Sequence, residues 1–138
     1  MQFEIILEKY QFPKRVTPAK IFLNQVENKF NVHFPDDYGT YLLNYFGFET
    51  SIGREYVELW DIEQVILNNE RIFLQEYLPG AFGIGSNAGG ELIAFGNIGN
   101  GDFNIILTPF IGMDSPIDIG SSFTDFLVRL DNGRRWFD

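Results

Sequence analysis

Hydrophobic positions along this chain follow two periods in succession. From Ala19 they recur at Phe22, Leu23, Val26 and Phe30, the spacing of one face of an amphipathic helix. Thr17 and Pro18 supply its start, because a hydroxyl caps the orphan amides and proline at the first helical position forfeits no hydrogen bond. A second helical face runs through Tyr38, Tyr41, Leu42, Tyr45 and Phe46, opened by Pro35, Asp36 and Asp37 and closed by Gly47. Together they predict an α-hairpin. At helical spacing its aromatic stripe reads as a core face and not as a platform for stacking bases.

Beyond Gly47 the period shifts towards two. Residues 56–60 alternate and predict a strand, after which Asp61 and Gln64 have the spacing of a capping box for a helix through Val65, Ile66 and Leu67. Tyr77, Leu78, Pro79 and Gly80 form a turn, and residues 81–85, 91–95 and 103–108 read as three short strands joined by Gly- and Asn-rich loops. Ten of the fourteen glycines lie between Gly80 and Gly120, so most turns belong there. Ser122 with Asp125 signals the last helix, whose Phe123, Phe126, Leu127 and Leu130 share one face. Helices are therefore expected near 18–30, 35–46, 61–68 and 122–131. The fold class is α+β: one mainly antiparallel sheet carrying an N-terminal α-hairpin, an interior helix and a C-terminal helix. The tail after Gly133, with Arg134, Arg135 and Trp136, is expected to fray.

At 138 residues the chain has the length of one domain, read as 1–138, and can bury roughly two-thirds of its unfolded surface. An apolar content of 45% with fifteen Phe excludes a disordered chain. With no cysteine there is no disulfide framework, thiolate nucleophile or zinc ribbon, in keeping with a reducing, cytoplasmic setting. Glu4 and Glu8 stand where an export signal needs a basic start and an apolar run, and no stretch approaches a membrane span.

Charge adds the next distinction. Ten basic against nineteen acidic residues give −9, which argues against nucleic-acid binding. Residues 1–54 are neutral, with six bases and six acids, whereas from Glu55 to Val128 the only base is Arg71, against eleven acids. Such a half, if its acids share a face, steers a cationic partner.

Chemical motifs are sparse. Gly83 to Ala88 matches the G-x-G-x-x-A form of a dinucleotide fingerprint, but residues 91–95 after it read as a strand, so no helix terminus is there to hold a pyrophosphate. No phosphate-binding G-x-x-x-x-G-K loop occurs, and the single His33 supplies neither a histidine metal cluster nor the base of a recognisable triad. No catalytic residue, cofactor or metal is expected.

An ordered set of short motifs carries a resemblance: Phe34-Pro35-Asp36-Asp37-Tyr38, Tyr41-Leu42-Leu43 with Gly47, Leu59-Trp60, Tyr77-Leu78-Pro79, Ile84-Gly85-Ser86 with Gly89-Gly90-Glu91, and Ser122-Phe123 with Phe126-Leu127. In order and spacing, from about Thr17 to Leu130, the chain resembles the SUKH superfamily, the group around the fungal Smi and Knr cell-wall regulators with many bacterial members encoded beside toxins. Phe46, and Asn87-Ala88 after Ser86, depart from the usual turn residues of that pattern. The resemblance implies a non-catalytic α+β protein-binding module. It also implies an immunity protein that neutralises a cognate toxin, frequently a nuclease, or a regulatory scaffold in cell-wall synthesis or signalling. The acidic half agrees with the former, since nucleases present basic surfaces to a polyanionic substrate. A pocket under the Gly-rich loop serving a small ligand is the third reading. Candidate partner-binding residues are Glu49, Glu55, Glu58, Glu91, Asp114 and Asp118, with Trp60 either a contact hot spot or a core aromatic at a strand end.

Overall fold

The computed structural model describes residues 1–72, 74–113 and 115–137. Among these residues six α-helices are α1 (Gln2–Lys9), α2 (Lys20–Phe30), α3 (Asp36–Asn44), α4 (Ile62–Arg71), α5 (Leu74–Tyr77) and α6 (Phe123–Asp131). Six strands are β1 (Phe48–Ile52), β2 (Glu55–Leu59), β3 (Phe82–Ser86), β4 (Glu91–Gly96), β5 (Asn104–Pro109) and β6 (Ile117–Gly120). They form one antiparallel sheet in sequence order, β1 to β6. The α+β expectation therefore holds, and the meander extends further than the pattern indicated.

One face of the sheet carries the aromatic core. Register places Phe82, Phe95 and Ile105 side by side, and Tyr38 of α3 meets the Phe95 ring edge-on at 5.1 Å. Phe123 of α6 meets Tyr38 at 5.2 Å and Phe3 of α1 at 5.9 Å, so one cluster ties three helices to the strands. Tyr38, Tyr41, Leu42 and Tyr45 are buried as the helical spacing requires, and so are Phe123, Phe126, Leu127 and Leu130, whereas Phe46 is 42% exposed because α3 ends at Asn44 and the backbone is extended from Tyr45. The opposite face, near β3, meets the connection from β2: Gly83 lies against Trp60, Asn69 and Leu92.

Where β2 leaves the sheet after Leu59, a side chain takes over its pairing. Asn69 of α4 donates to the Gly83 carbonyl at 2.9 Å and accepts the Gly83 N–H at 2.7 Å, the two bonds a neighbouring strand would have made. Gly85 is required beside it, because a Cβ there would run into the Glu58 carbonyl oxygen.

Several local expectations are corrected. The residue flanking α2 is Ala19, with no side-chain cap, so Thr17 does not cap the helix. On α2 only Val26 is buried, and Phe22 is 45% exposed, because α3 and α4 touch just one narrow side. Asp61 and Gln64 do form the expected capping box. Ser122 accepts the Asp125 N–H at 2.9 Å, but the Asp125 carboxylate turns to Ser121. Elements α1, β1, α5 and β6 lie outside the predicted set: α5 and β6 are four residues each, too short for either period to register, and β1 holds only two large apolar residues, Phe48 and Ile52. The tail after Gly133 is docked and not frayed: Trp136 stacks on Phe126 at 6.3 Å and donates its backbone N–H to Glu55 at 3.3 Å.

Helix α1 is clamped to α6 through one carboxylate. Asp131 accepts from Lys9 Nζ at 2.8 Å and from the Tyr10 hydroxyl at 2.7 Å, and these bonds hold its carboxyl below the usual range. A carboxyl depressed in the native state stabilises fully above its unfolded value, about pH 4, and the contribution disappears as pH falls through the native value. Urea midpoints followed from neutral pH to about pH 2.5 are expected to fall less steeply for Asp131→Asn than for the native chain. Identical profiles would show that the clamp contributes nothing to acid sensitivity.

Candidate functional site

The first hairpin builds the exposed acidic site. Its two-residue turn, Gly53-Arg54, needs positive φ at its first position, and Gly53 has φ +60°. The register then sets Glu49 directly opposite Glu58 and Ser51 opposite Tyr56. Side chains alternate across a strand, so Ile52, Val57 and Leu59 go to the core and these four share the other face.

Glu58 is held in place, and Glu49 lies within hydrogen-bonding reach of the Tyr56 hydroxyl. Glu58 Oε1 accepts the Trp60 indole N–H at 2.9 Å, with the Ser86 hydroxyl at 3.5 Å beyond it. Trp60 is itself fixed, donating its backbone N–H to Ile84 at 3.0 Å and accepting the Tyr41 hydroxyl at 2.9 Å. It is only 4% exposed, so it acts on the surface by positioning Glu58. The phenol of Tyr56 is pushed up from its ordinary value by desolvation first, then by the Glu49 and Glu58 carboxylates.

Like charges directly opposite on a sheet destabilise it, and among the described residues no base neutralises this pair. Among the described residues the ion pairs join the Met1 amino group to Glu4, Lys9 to Asp131, Lys29 to Glu70, His33 to Glu27 and Arg129 to Asp125, and none reaches Glu49 or Glu58. Replacing Glu49 by Gln is therefore expected to raise stability by about 0.2–1 kcal/mol at low salt, with the gain shrinking as salt screens the pair. Urea titrations at two ionic strengths check this, and a loss of stability would contradict it.

The remaining candidates do not converge on this pair. Glu55 lies at the turn end of the hairpin on the helix-covered side, where it accepts from Trp136. Glu91 belongs to the opposite face, since Glu58, Ser86 and Leu92 are successive partners and Glu91 precedes Leu92. Its carboxylate accepts the Asn87 amide at 2.8 Å, while Asn87 Oδ1 takes the Gly89 N–H at 2.9 Å, so asparagine and not glutamate satisfies the turn. Asp118 is on β6, five strand spacings or about 24 Å from β1, and accepts the Gly120 N–H at 3.1 Å. Asp114 lies outside the described residues. Sequence reasoning passed over Tyr56 and Ser51; alternation in residues 55–59 places Tyr56 with Glu58, whereas Ser51 needed β1 to be recognised.

Other chemistry is scarce. Gly83 to Ser86 is strand and the turn follows, with no helix after it. Among the described residues no group of three or more His, Asp or Glu is arranged to hold a metal. His33 is exposed and lies 3.3 Å from Glu27. A half-open cavity of about 320 Å³ separates the end of α2 from α5 and β3, and two of the amides lining it are engaged, Asn69 with Gly83 and Gln75 with Gly80 and Ala81.

The sheet and the acidic hairpin fall within a stretch that a family description covers: residues 16–129 match the SMI1/KNR4 family (SUKH-1). The chain belongs to that family. The match takes in α2 to α5, most of α6 and all six strands described, and leaves α1 outside it. No curated protein matches the chain significantly. Among the described residues no helix of this SUKH-1 member is long and apolar enough to cross a membrane.

Proposed function

We propose that this SUKH-1 protein is a non-catalytic immunity protein that binds a basic, nuclease-type toxin in the cytoplasm and occludes its substrate-binding surface. The observation that carries the reading is the unneutralised pair Glu49 and Glu58, opposed on an exposed sheet face. A protein retains a repulsive pair of this kind where function repays it, and a cationic partner turns the repulsion into attraction. Two carboxylates side by side present the charge spacing of a polyanion to groups that evolved to hold phosphates. Glu55, Glu91 and Asp118 contribute at longer range, through the field of the acidic half. Family membership supports a protein partner equally for a regulatory scaffold, and the opposed pair favours the toxin.

The test mixes the purified protein with any nuclease toxin found encoded in its gene neighbourhood and follows nucleic-acid cleavage. Loss of cleavage at equimolar ratio, with a 1:1 complex on gel filtration, is expected. Full cleavage in the presence of excess protein would overturn the immunity reading and leave the regulatory one.

A further inference from the structure

The two edges of the sheet are built differently. Strand β6 is blunted: it has four residues, follows Pro116 directly, shifts register opposite Ile105 and Ile106, and gives its Gly120 N–H to the Asp118 carboxylate. Strand β1 has none of these devices. Its five residues pair in unbroken register with β2, and it contains no proline, lysine or bulge.

Hairpin geometry shows which groups face outward. In a two-residue hairpin the flanking residues, here Ile52 and Glu55, exchange hydrogen bonds, and bonded and non-bonded pairs alternate away from the turn. The peptide groups of Thr50 and Phe48 therefore point to β2, while those of Glu49 and Ser51 point away from the sheet. No backbone or side-chain partner reaches either outward pair among the described residues. Just outside this run the chain closes its own edge: Phe46 donates to the Pro13 carbonyl at 2.9 Å, and the Gly53 N–H goes to the Tyr10 hydroxyl at 3.2 Å. The opening is thus one short strand long and framed at both ends.

We propose that the β1 edge takes up an extended, lysine- or arginine-bearing segment of a partner protein as a seventh, antiparallel strand. The proposal rests on the acidic-face reading for the nature of its occupant. A residue paired with Glu49 across a new ladder has its side chain on Glu49's face, so a base at that position meets Glu49 directly, with Glu58 one strand further in. Main-chain bonds to Glu49 and Ser51 supply affinity, and the carboxylates select the charge. A second copy of this chain is the wrong occupant, since each carries −9 and would bring its own Glu49 to the same face.

The experiment follows amide hydrogen exchange in the full chain by NMR, using as probe a short synthetic peptide of alternating lysine and valine. In antiparallel pairing the lysines opposite Glu49 and Ser51 direct their own peptide groups at β1, and the valine amides point away. The parent peptide and a form N-methylated at the valine amides are expected to slow exchange at Glu49 and Ser51 about tenfold or more, whereas a form N-methylated at the lysine amides leaves it unchanged. Equal effects from all three peptides, or no slowing at Glu49 and Ser51 from any, would overturn strand addition while leaving the acidic-face reading intact. Equal slowing in a Glu49→Gln, Glu58→Gln variant would instead contradict the charge-selecting role and leave the strand pairing.

Discussion

Phe123→Ala is expected to lower the unfolding free energy by about 3–5 kcal/mol, the range for emptying a buried aromatic site. Its ring is fully buried and lies 5.2 Å from Tyr38, 5.3 Å from Tyr41, 5.9 Å from Phe3 and 6.3 Å from Phe126. These neighbours come from α1, α3 and α6, so removing the ring loosens three helices at the place where they meet, and partial collapse cannot restore all the contacts. Phe22→Ala provides the contrast. The residue shares the apolar spacing of α2 but stays exposed, and a loss within about 1 kcal/mol is expected. Urea denaturation of both variants checks the pair; a loss below about 1 kcal/mol for Phe123→Ala would place α6 off the core.

Reversing both carboxylates, Glu49→Lys with Glu58→Lys, is expected to slow association with a basic toxin by about tenfold or more at low salt. Both positions are on the face of the first hairpin opposite Ile52, Val57 and Leu59. Glu58→Lys also removes the acceptor of the Trp60 indole, whereas Glu58→Gln keeps an oxygen there; the Gln variant separates charge from positioning. Glu49→Gln with Glu58→Gln should give an intermediate association rate. An unchanged rate in the Lys variant, with native stability, would remove this face from recognition.

The elements that could be read from the sequence were those whose pattern is local. The aromatic face of α3 as far as Tyr45 and the apolar face of α6 are buried where helical spacing requires, the capping box at Asp61 forms, and only Phe46, past the end of α3, departs from its face. Helix α2 shows the limit: five apolar residues recur correctly, yet how many are covered depends on how much of α3 and α4 reaches them. Strand β1 is defined by its partner, since Phe48-Glu49-Thr50-Ser51-Ile52 alternates in burial only once β2 lies beside it. The site follows the same division. An acidic half was legible from counting, but whether its members meet depends on register, and register brings together Glu49 and Glu58 while placing Glu91 on the other face and Asp118 at the far edge. Asn69 standing in for a missing strand had no local signal at all, because its partner Gly83 is fourteen residues away.

The central claim is that an opposed carboxylate pair on the first hairpin attracts a basic protein. Stopped-flow association rates of the native chain with a basic nuclease toxin, measured across ionic strengths, test it most directly. The rate is expected to fall steeply as salt rises, and the fall should flatten in the Glu49→Gln, Glu58→Gln variant, because that pair supplies the nearest part of the steering field. A native rate that does not respond to salt, or a slope that the variant leaves unchanged, would contradict the account.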